Sequence, residues 1–365
     1  MRVLIALPGL HRVSRGAEVA FESIAQELSV LGHDVTVFGS GPSIEQRAYH
    51  YEQLRLVARE RFERWPTFPP IRDVTTYEGI TFAASTLARF RPGDFDITMT
   101  CGFPAENLAL RRWARHKNRP VHIFVTENGD WPAFNRSGEY RLFSCDGLVC
   151  TNPQYLERNQ DRWNCTLIPN GVNLGVYSPG AARRAALGLP TDRPIIVMVS
   201  ALIPSKRVLE GIRAAAHIDD AFVLVAGDGP LRAEVNALGD QLLPGRFLQT
   251  TFQPSDMPDV YRSADVLLHT TYVESFGNIY IEAMATGLPV VAHRSVVTEW
   301  ILESNGQLVD TDDQGAIVQA LAAQLARGRA NLEPMIEMVA RRFSWTTIAQ
   351  QYAEFMQLTR ETARR

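Results

Sequence analysis

The stretch 274-ESFGNIYIEAMATGLPVV-291 carries the features from which the fold can be inferred. Two glutamates, Glu274 and Glu282, lie eight positions apart, and Gly277 and Asn278 open an apolar, helix-like run between them. Gly287 follows the run, and PVV then begins a short apolar strand. A helix followed so closely by a buried strand is typical of an α/β unit with a parallel sheet.

The N-terminal half shows the same alternation. Residues 3–6 form an apolar run typical of a buried strand, apolar positions from Ala17 to Leu31 predict a helix, and DVTVFG predicts a second strand. Strands are also predicted at DITMTC and VHIFVTENGD, whereas residues 40–92 are less regular. Strand, helix and strand with short links make a βαβ unit.

The pattern restarts after LIPNGVNLGVYSP, a segment with the Pro, Gly and Asn content of an interdomain connection. Strands are then predicted for IIVMVSAL, FVLVAGDG, DVLLHTT and PVVAH, with helices between them. We therefore predict an α/β protein of two Rossmann-like, doubly wound parallel-sheet domains facing across a cleft. The predicted bounds are 1–168 and 169–345, with a helix over 346–365 that packs back on the first domain.

Composition excludes several classes of protein. The 365 residues exceed what one core usually holds, and 45% hydrophobic with 21% charged residues is ordinary for a globular protein. A net charge of −3 gives no argument for a nucleic-acid partner, and no apolar run is long enough to span a bilayer. The start MRVLIALPGL lacks a cleavage site and predicts a first strand. The four cysteines, Cys101, Cys145, Cys150 and Cys165, form no CxxC pair, so we expect reduced thiols in the cytoplasm.

Two cations follow the strand IIVMVSAL. Lys206 and Arg207 are predicted at a helix start, where a positive charge opposes the helix dipole, so local stability does not explain them. A bound anion would explain them, and two solvated bases on a surface loop are the alternative. Lys206 is one of only two lysines among 37 basic residues, which favours the ligand.

Glycine and carboxylate positions suggest the rest of an anion site. Gly16, in the loop after the first strand, would let an anion approach its amide, although a glycine at a helix start needs no ligand. The N–H groups at Gly277 and Asn278 can hold a phosphate. Glu282 could then accept hydrogen bonds from a ribose, and Glu274 from hydroxyls at the opposite end of the ligand. The alternative is that neither glutamate binds a ligand: one would be a first-turn partner of the helix dipole and the other an exposed helix carboxylate.

These residues resemble a known family. ESFGNIYIEAMATGLPVV is similar to the E-x7-E segment of the family-four retaining glycosyltransferases of GT-B fold. VSALIPSKR, AGDGP, MPDVYRSADVLL, IPNGVN and RGAE…GHDVTV resemble further blocks of that family in the same order, and only residues 40–92 match weakly. The resemblance implies transfer of a sugar from a nucleotide diphosphate sugar, most often a UDP-sugar, to an acceptor hydroxyl with retained configuration. Polysaccharide or glycoconjugate biosynthesis is the implied setting.

The resemblance also implies roles for single residues. Glu282 would hold the ribose and Glu274 would orient the donor sugar. Phe252 would border the base. The remaining donor-binding residues, most of them around the diphosphate, would be Gly16, Lys206, Arg207, Phe276, Gly277 and Asn278.

Three positions depart from the family pattern. Ala201 stands where the family usually has an arginine, so Lys206 must act with Arg207 or unaided. Arg15-Gly16 replaces a Gly-Gly pair. Asn128 stands where a histidine is common, and it can hydrogen-bond a sugar but cannot act as a base. This leaves Glu127, Asn128 and Asp130 as the candidate catalytic residues beside Glu274.

No cofactor or metal is predicted. No His, Cys or Asp cluster has metal-ligand spacing. Asp94-Phe95-Asp96 has the form of a metal-binding DxD, but it directly precedes a strand, and we expect a structural role for it. The resemblance implies an acceptor that is a sugar, a lipid-linked compound or another hydroxyl compound.

Two basic stretches leave open whether the protein binds a membrane surface. RLVARERFERW and RRWARHKNR include Trp65 and Trp113 and could rest on the inner face of the plasma membrane or meet a lipid phosphate. A solvated helix face is the commoner explanation. Two functional alternatives also stay open: another GT-B enzyme such as a phosphorylase or nucleotide-sugar epimerase, and a non-catalytic nucleotide-sugar binder.

Overall fold

The computed structural model describes residues 1–68, 71, 73–111, 118–134, 138–329 and 332–363. The chain divides into two compact units, Met1–Asn170 with Trp345–Arg365, and Gly171–Ser344. The boundary placed at residue 168 from the sequence lies two residues before this division. Each unit holds one parallel sheet covered by helices, so the predicted α/β class is confirmed.

The first unit has a seven-stranded parallel sheet of order β3-β2-β1-β4-β5-β6-β7. Its strands are β1 (Arg2–Ala6), β2 (Asp34–Gly39), β3 (His50–Gln53), β4 (Ile97–Thr100), β5 (Val121–Val125), β6 (Gly147–Cys150) and β7 (Cys165–Leu167). Its first four helices are α1 (Gly16–Val30), α2 (Val74–Arg89), α3 (Ala105–Arg111) and α4 (Pro153–Asn159).

The second unit has a six-stranded parallel sheet of order β10-β9-β8-β11-β12-β13. Its strands are β8 (Ile195–Val199), β9 (Phe222–Ala226), β10 (Phe247–Thr250), β11 (Val266–His269), β12 (Val290–His293) and β13 (Gly306–Val309). Its helices are α5 (Val208–Ala215), α6 (Arg232–Leu242), α7 (Met257–Ser263), α8 (Asn278–Ala285), α9 (Val296–Leu302), α10 (Gln314–Arg327) and α11 (Glu333–Phe343).

The last helix, α12 (Trp345–Ala363), returns to the first unit. Its residues Ile348, Tyr352 and Met356 are buried in the same core as Phe21 and Ile24 of α1. The apolar spacing that predicted both helices therefore describes the two faces that meet in this core.

Asp96 has the structural role expected for the DFD stretch. It accepts a hydrogen bond from the backbone N–H of Arg2 at 2.9 Å and pairs with Arg360 of α12 at 3.0 Å. Burial alone would raise the pKa of Asp96, but these hydrogen bonds and charges outweigh burial and lower it. The carboxylate therefore joins β1 to the final helix.

The irregular region 40–92 contains two elements that the sequence pattern did not predict, β3 and α2. The strand HYEQ lies at the sheet edge and none of its four residues is fully buried, so it shows no apolar run. Asp73 caps α2 by accepting from the N–H of Thr76 at 2.9 Å. Trp113 and most of the second basic stretch, 112–117, lie outside the described residues.

All four cysteines are free thiols, as expected. Among the described residues, none of the helices is both long enough and apolar enough to cross a bilayer.

Candidate active site

The loop between β11 and α8 turns sharply at Gly277. Its φ of +88° favours glycine, and a Cβ built there would lie 2.6 Å from the ring of Tyr280. Helix α8 begins at Asn278, where the sequence predicted its start. The positive end of the helix dipole, with the N–H groups of the first turn, is therefore directed toward the carboxyl edge of the sheet.

Glu274 lies in this loop and is held by two basic side chains through one oxygen. Lys206 Nζ forms an ion pair with Oε1, and His269 Nε2 lies 2.9 Å from the same atom. Lys206 ends a 3₁₀ turn, Pro204–Lys206, after β8, and His269 is the last residue of β11. Two neighbouring strand ends and the loop thus bring the three groups together.

The electrostatics keep Glu274 ionised. Burial would raise the pKa of its carboxyl group, but the hydrogen bond from His269 and the charge of Lys206 outweigh burial, so the pKa is lowered. A carboxylate in this setting accepts hydrogen bonds and cannot act as a proton donor at neutral pH.

Glu282 lies in the second turn of α8, about 6 Å along the axis from Asn278 at 1.5 Å per residue. The hydroxyl of Tyr261 on α7 donates to its Oε2 at 2.9 Å. Burial raises the pKa of Glu282 to about 7, and the bond from Tyr261 only partly offsets this. At neutral pH the group is therefore poised between its protonated and ionised forms.

The side chain of Arg207 does not point to the same place as that of Lys206. Its Nη1 donates to Thr311 Oγ1 at 2.9 Å and its Nη2 to Asp312 Oδ1 at 2.7 Å. Its guanidinium lies 3.8 Å from the ring centroid of Tyr272. The two cations predicted side by side thus have different partners.

The two predicted phenylalanines differ in setting. Phe276 is buried in the core, with its ring edge-on to Trp300 and Phe343, so only its backbone could meet a ligand. Phe252, two residues after β10, is partly buried against the same core. Ala201 is exposed and adds no polar side-chain group, so it cannot replace an arginine.

In the first unit Gly16 is the first residue of α1 and is exposed. Arg15 is the N-cap and makes no side-chain cap hydrogen bond. The helix start is thus placed as the sequence predicted, at the end of the loop that follows β1.

Glu127 and Asn128 lie in the 3₁₀ turn Thr126–Asn128, which directly follows β5. Glu127 Oε2 accepts from Asn170 Nδ2 at 3.0 Å, while Oε1 is buried without a hydrogen-bond partner among the described residues. Burial raises the pKa of Glu127 to about 7, although the bond from Asn170 opposes this. Asn128 is exposed and contacts Cys101 Sγ at 3.4 Å.

Asp130 is engaged with helix α4. Asn159 Nδ2 donates to Oδ1 at 2.7 Å, and Arg158 Nε lies 2.8 Å from Oδ2. Burial raises its pKa despite these partners. Oδ1 thus accepts a hydrogen bond from α4, whereas Oδ2 is buried and forms an ion pair with that helix but no hydrogen bond among the described residues.

Sequence reasoning missed two residues that hold the glutamates, His269 and Tyr261. His269 ends a predicted strand, and the rule that ligands bind at the carboxyl ends of parallel strands would have selected it. Tyr261 lies inside α7, and no local signal links it to Glu282, 21 positions later. Among the described residues, no group of three or more His, Cys, Asp or Glu side chains could hold a metal.

Comparisons with known families cover both halves of the chain. Residues 181–337 match the family described as Glycosyl transferases group 1, and residues 14–176 match Glycosyltransferase Family 4. A protein named D-inositol 3-phosphate glycosyltransferase from Mycobacterium sp. (strain KMS) is 37% identical over 371 residues, covering 91% of this chain and 79% of the relative. Its namesake from Mycolicibacterium smegmatis is 35% identical over 203 residues, covering 51% of this chain and 46% of the relative.

Solved structures share the fold along the whole chain. Sucrose-phosphate synthase from Thermosynechococcus elongatus superimposes with a TM-score of 0.79 at 21% identity, covering 98% of each chain. Anabaena Alr3699/HepE in complex with UDP-glucose gives a TM-score of 0.73 at 17% identity, covering 98% of this chain and 100% of that one. At these identities the likeness shows the fold alone.

Proposed function

This chain belongs to the glycosyltransferase group 1 family, and we propose that it moves a sugar from a nucleotide diphosphate sugar to an acceptor hydroxyl with retention of configuration. UDP is the proposed nucleotide. The second unit would bind the donor, and the first unit would carry the acceptor. Complexes of the Anabaena protein with UDP and with UDP-glucose support this choice of nucleotide.

One observation carries the proposal: Lys206, Glu274 and His269 meet beside the start of α8. When the bond between sugar and diphosphate breaks, the leaving diphosphate gains negative charge. The ammonium group of Lys206 and the first-turn amides at Gly277 and Asn278 would stabilise that charge in place.

The two glutamates would then bind opposite ends of the donor. Lys206 and His269 both contact Glu274 Oε1, so we propose that Oε2 accepts hydrogen bonds from hydroxyls of the donor sugar. Glu282, in the second turn of α8, would accept from the ribose hydroxyls in its ionised form.

The first unit offers Glu127 and Asn128 on the acceptor side. A carboxyl group with a pKa of about 7 suits proton transfer at neutral pH, and Asn128 can hydrogen-bond a sugar. Gly16, at the start of α1, is proposed as a further backbone contact with the donor diphosphate.

The proposed acceptor is a polyol or sugar that carries a phosphate. The curated relatives are named for D-inositol 3-phosphate, and one of them aligns with 91% of this chain. We propose no metal requirement, because Lys206 and the helix start would supply the positive charge that a metal otherwise gives to a leaving diphosphate.

A donor and acceptor panel tests this function. UDP-, GDP- and ADP-sugars are incubated with inositol phosphates and sugar phosphates, with and without EDTA, and products are identified by mass spectrometry. Proton NMR of the product determines whether the anomeric configuration is retained. We expect transfer from a UDP-sugar that EDTA does not abolish. A wild-type enzyme that neither transfers nor hydrolyses any of these donors would disprove the proposal.

A further inference from the structure

Arg207 has a backbone conformation that non-glycine residues rarely adopt. Its φ of +52° and ψ of +37° lie in the left-handed region, at the N-cap of α5. This conformation is unfavourable for an L-residue, and it persists where surrounding contacts fix it.

Those contacts come from the side chain. The guanidinium donates to Thr311 and Asp312 and lies over the ring of Tyr272, and the side chain is only 13% exposed. The Tyr272 hydroxyl in turn donates to the same oxygen of Asp312. Arg207, Tyr272, Thr311 and Asp312 form a closed set of interactions, which we call the Arg207 latch.

The latch joins the two loops that carry Lys206 and Glu274, the residues proposed to bind the sugar donor. Arg207 directly follows Lys206, and Tyr272 lies two residues before Glu274. Thr270 Oγ1 adds a hydrogen bond to the carbonyl of Arg207 at 2.7 Å. The loop after β8 is therefore fixed to the loop after β11 by contacts other than the Lys206–Glu274 ion pair.

The third segment comes from the loop after β13. Thr311 Oγ1 accepts from Arg207 and lies 3.0 Å from His293 Nδ1, and the Thr311 N–H also points to that nitrogen at 3.3 Å. Burial lowers the pKa of His293, so the ring is neutral and Nδ1 can accept. Thr311, which accepts from Arg207 in the latch, is thus itself hydrogen-bonded to His293 at the end of β12.

We infer that Arg207 is a positioning residue, which holds Lys206 and Glu274 in register and does not itself bind the diphosphate. The inference rests on the proposed donor site. To reach a phosphate, the guanidinium would have to leave the Asp312 carboxylate and the Tyr272 ring. A planar guanidinium that forms both a carboxylate pair and a ring stack cannot be replaced by lysine.

Four variants test the latch. Arg207→Gly removes the side chain and suits the backbone conformation, so it should fold. Arg207→Lys keeps the positive charge but loses the planar guanidinium that donates through two nitrogens and stacks on the Tyr272 ring. Tyr272→Leu removes the ring from the opposite loop. Arg213→Ala, an exposed arginine on the same helix, is the matched control for the loss of one charge.

The first measurement is hydrogen exchange of the nucleotide-free protein, which needs neither donor nor acceptor. Both Arg207 variants and Tyr272→Leu should raise exchange on the order of tenfold over 204–209 and 270–276 together, because local opening follows the loss of these contacts. Exchange in strands β8 and β11 of these variants should match that of the wild type. The Arg213→Ala control should exchange like the wild type in both loops. Faster exchange in only one of the two loops, or in neither, would overturn the inference.

The second measurement separates positioning from direct contact. Binding of inorganic pyrophosphate should weaken alike in Arg207→Lys and Tyr272→Leu, and the double variant should be no weaker than either single one. In sugar transfer, kcat should fall on the order of tenfold, with a smaller change in donor KM. Wild-type pyrophosphate affinity in Arg207→Lys, with loss only in Arg207→Gly, would show a direct contact. A wild type that transfers no sugar would refute the proposed function, while the exchange result still decides the latch.

Discussion

Replacing Glu282 by glutamine should stabilise the protein at alkaline pH and weaken nucleotide binding at the same time. Burial raises the pKa of Glu282 from 4.5 to about 7, so the folded protein binds more protons than the unfolded chain between these values. Stability therefore falls as the pH rises through that window, and the full cost is present above pH 7. Glutamine has no charge to bury and can still accept from Tyr261.

The magnitude follows from the pKa difference. At 1.36 kcal/mol per pKa unit, a change from 4.5 to about 7 corresponds to about 3 kcal/mol. Glu282 keeps some solvent exposure, so we expect about 1–2 kcal/mol at pH 8 and close to zero at pH 4.5. Loss of a charge-assisted hydrogen bond to the ribose should weaken UDP binding on the order of tenfold.

Urea unfolding of wild type and Glu282→Gln at pH 5, 6, 7 and 8 measures the first effect, and calorimetric titration with UDP measures the second. Glu210→Gln, which changes a half-exposed carboxylate on α5, is the matched control. A free-energy difference that does not grow with pH would show that Glu282 is not a buried, costly charge. Equal UDP affinity in both proteins would refute its role at the ribose.

Three further substitutions separate catalytic, conformational and structural residues. Glu274→Gln should lower kcat on the order of a hundredfold while UDP affinity changes little, because Glu274 would orient the sugar. A loss of UDP affinity as large as the loss of kcat would contradict this. Gly277→Ala should cost at least about 2 kcal/mol in urea unfolding, since φ is +88° and the new methyl meets Tyr280, and an unchanged midpoint would oppose the argument. Asp130→Ala should lower the melting temperature, because the buried Asn159 Nδ2 loses the oxygen that accepts from it at 2.7 Å, a loss of about 1–2 kcal/mol, and should leave UDP affinity intact. A selective loss of turnover would instead make Asp130 catalytic.

Much of the site could be located from the sequence because it lies where local patterns are strong. Gly277 and Asn278 start α8 as predicted, since a glycine before an apolar helical run fixes that boundary. Lys206 ends the turn after β8, at the carboxyl edge of the sheet. The direction of the Arg207 side chain was not predictable, because its partners Thr311 and Asp312 lie more than a hundred positions away.

The sequence by itself determined the alternation of strands and helices, because periods of 2 and 3.6 in apolar residues reflect which faces must be buried. It also determined the family, through ordered blocks around Glu274 and Glu282. Only the tertiary structure decided which charges meet: Lys206 and His269 with Glu274, Tyr261 with Glu282, and Arg207 with Asp312. Such pairings, and the pKa values they set, depend on how separate strand ends, loops and helices pack against one another, which local residue patterns do not encode.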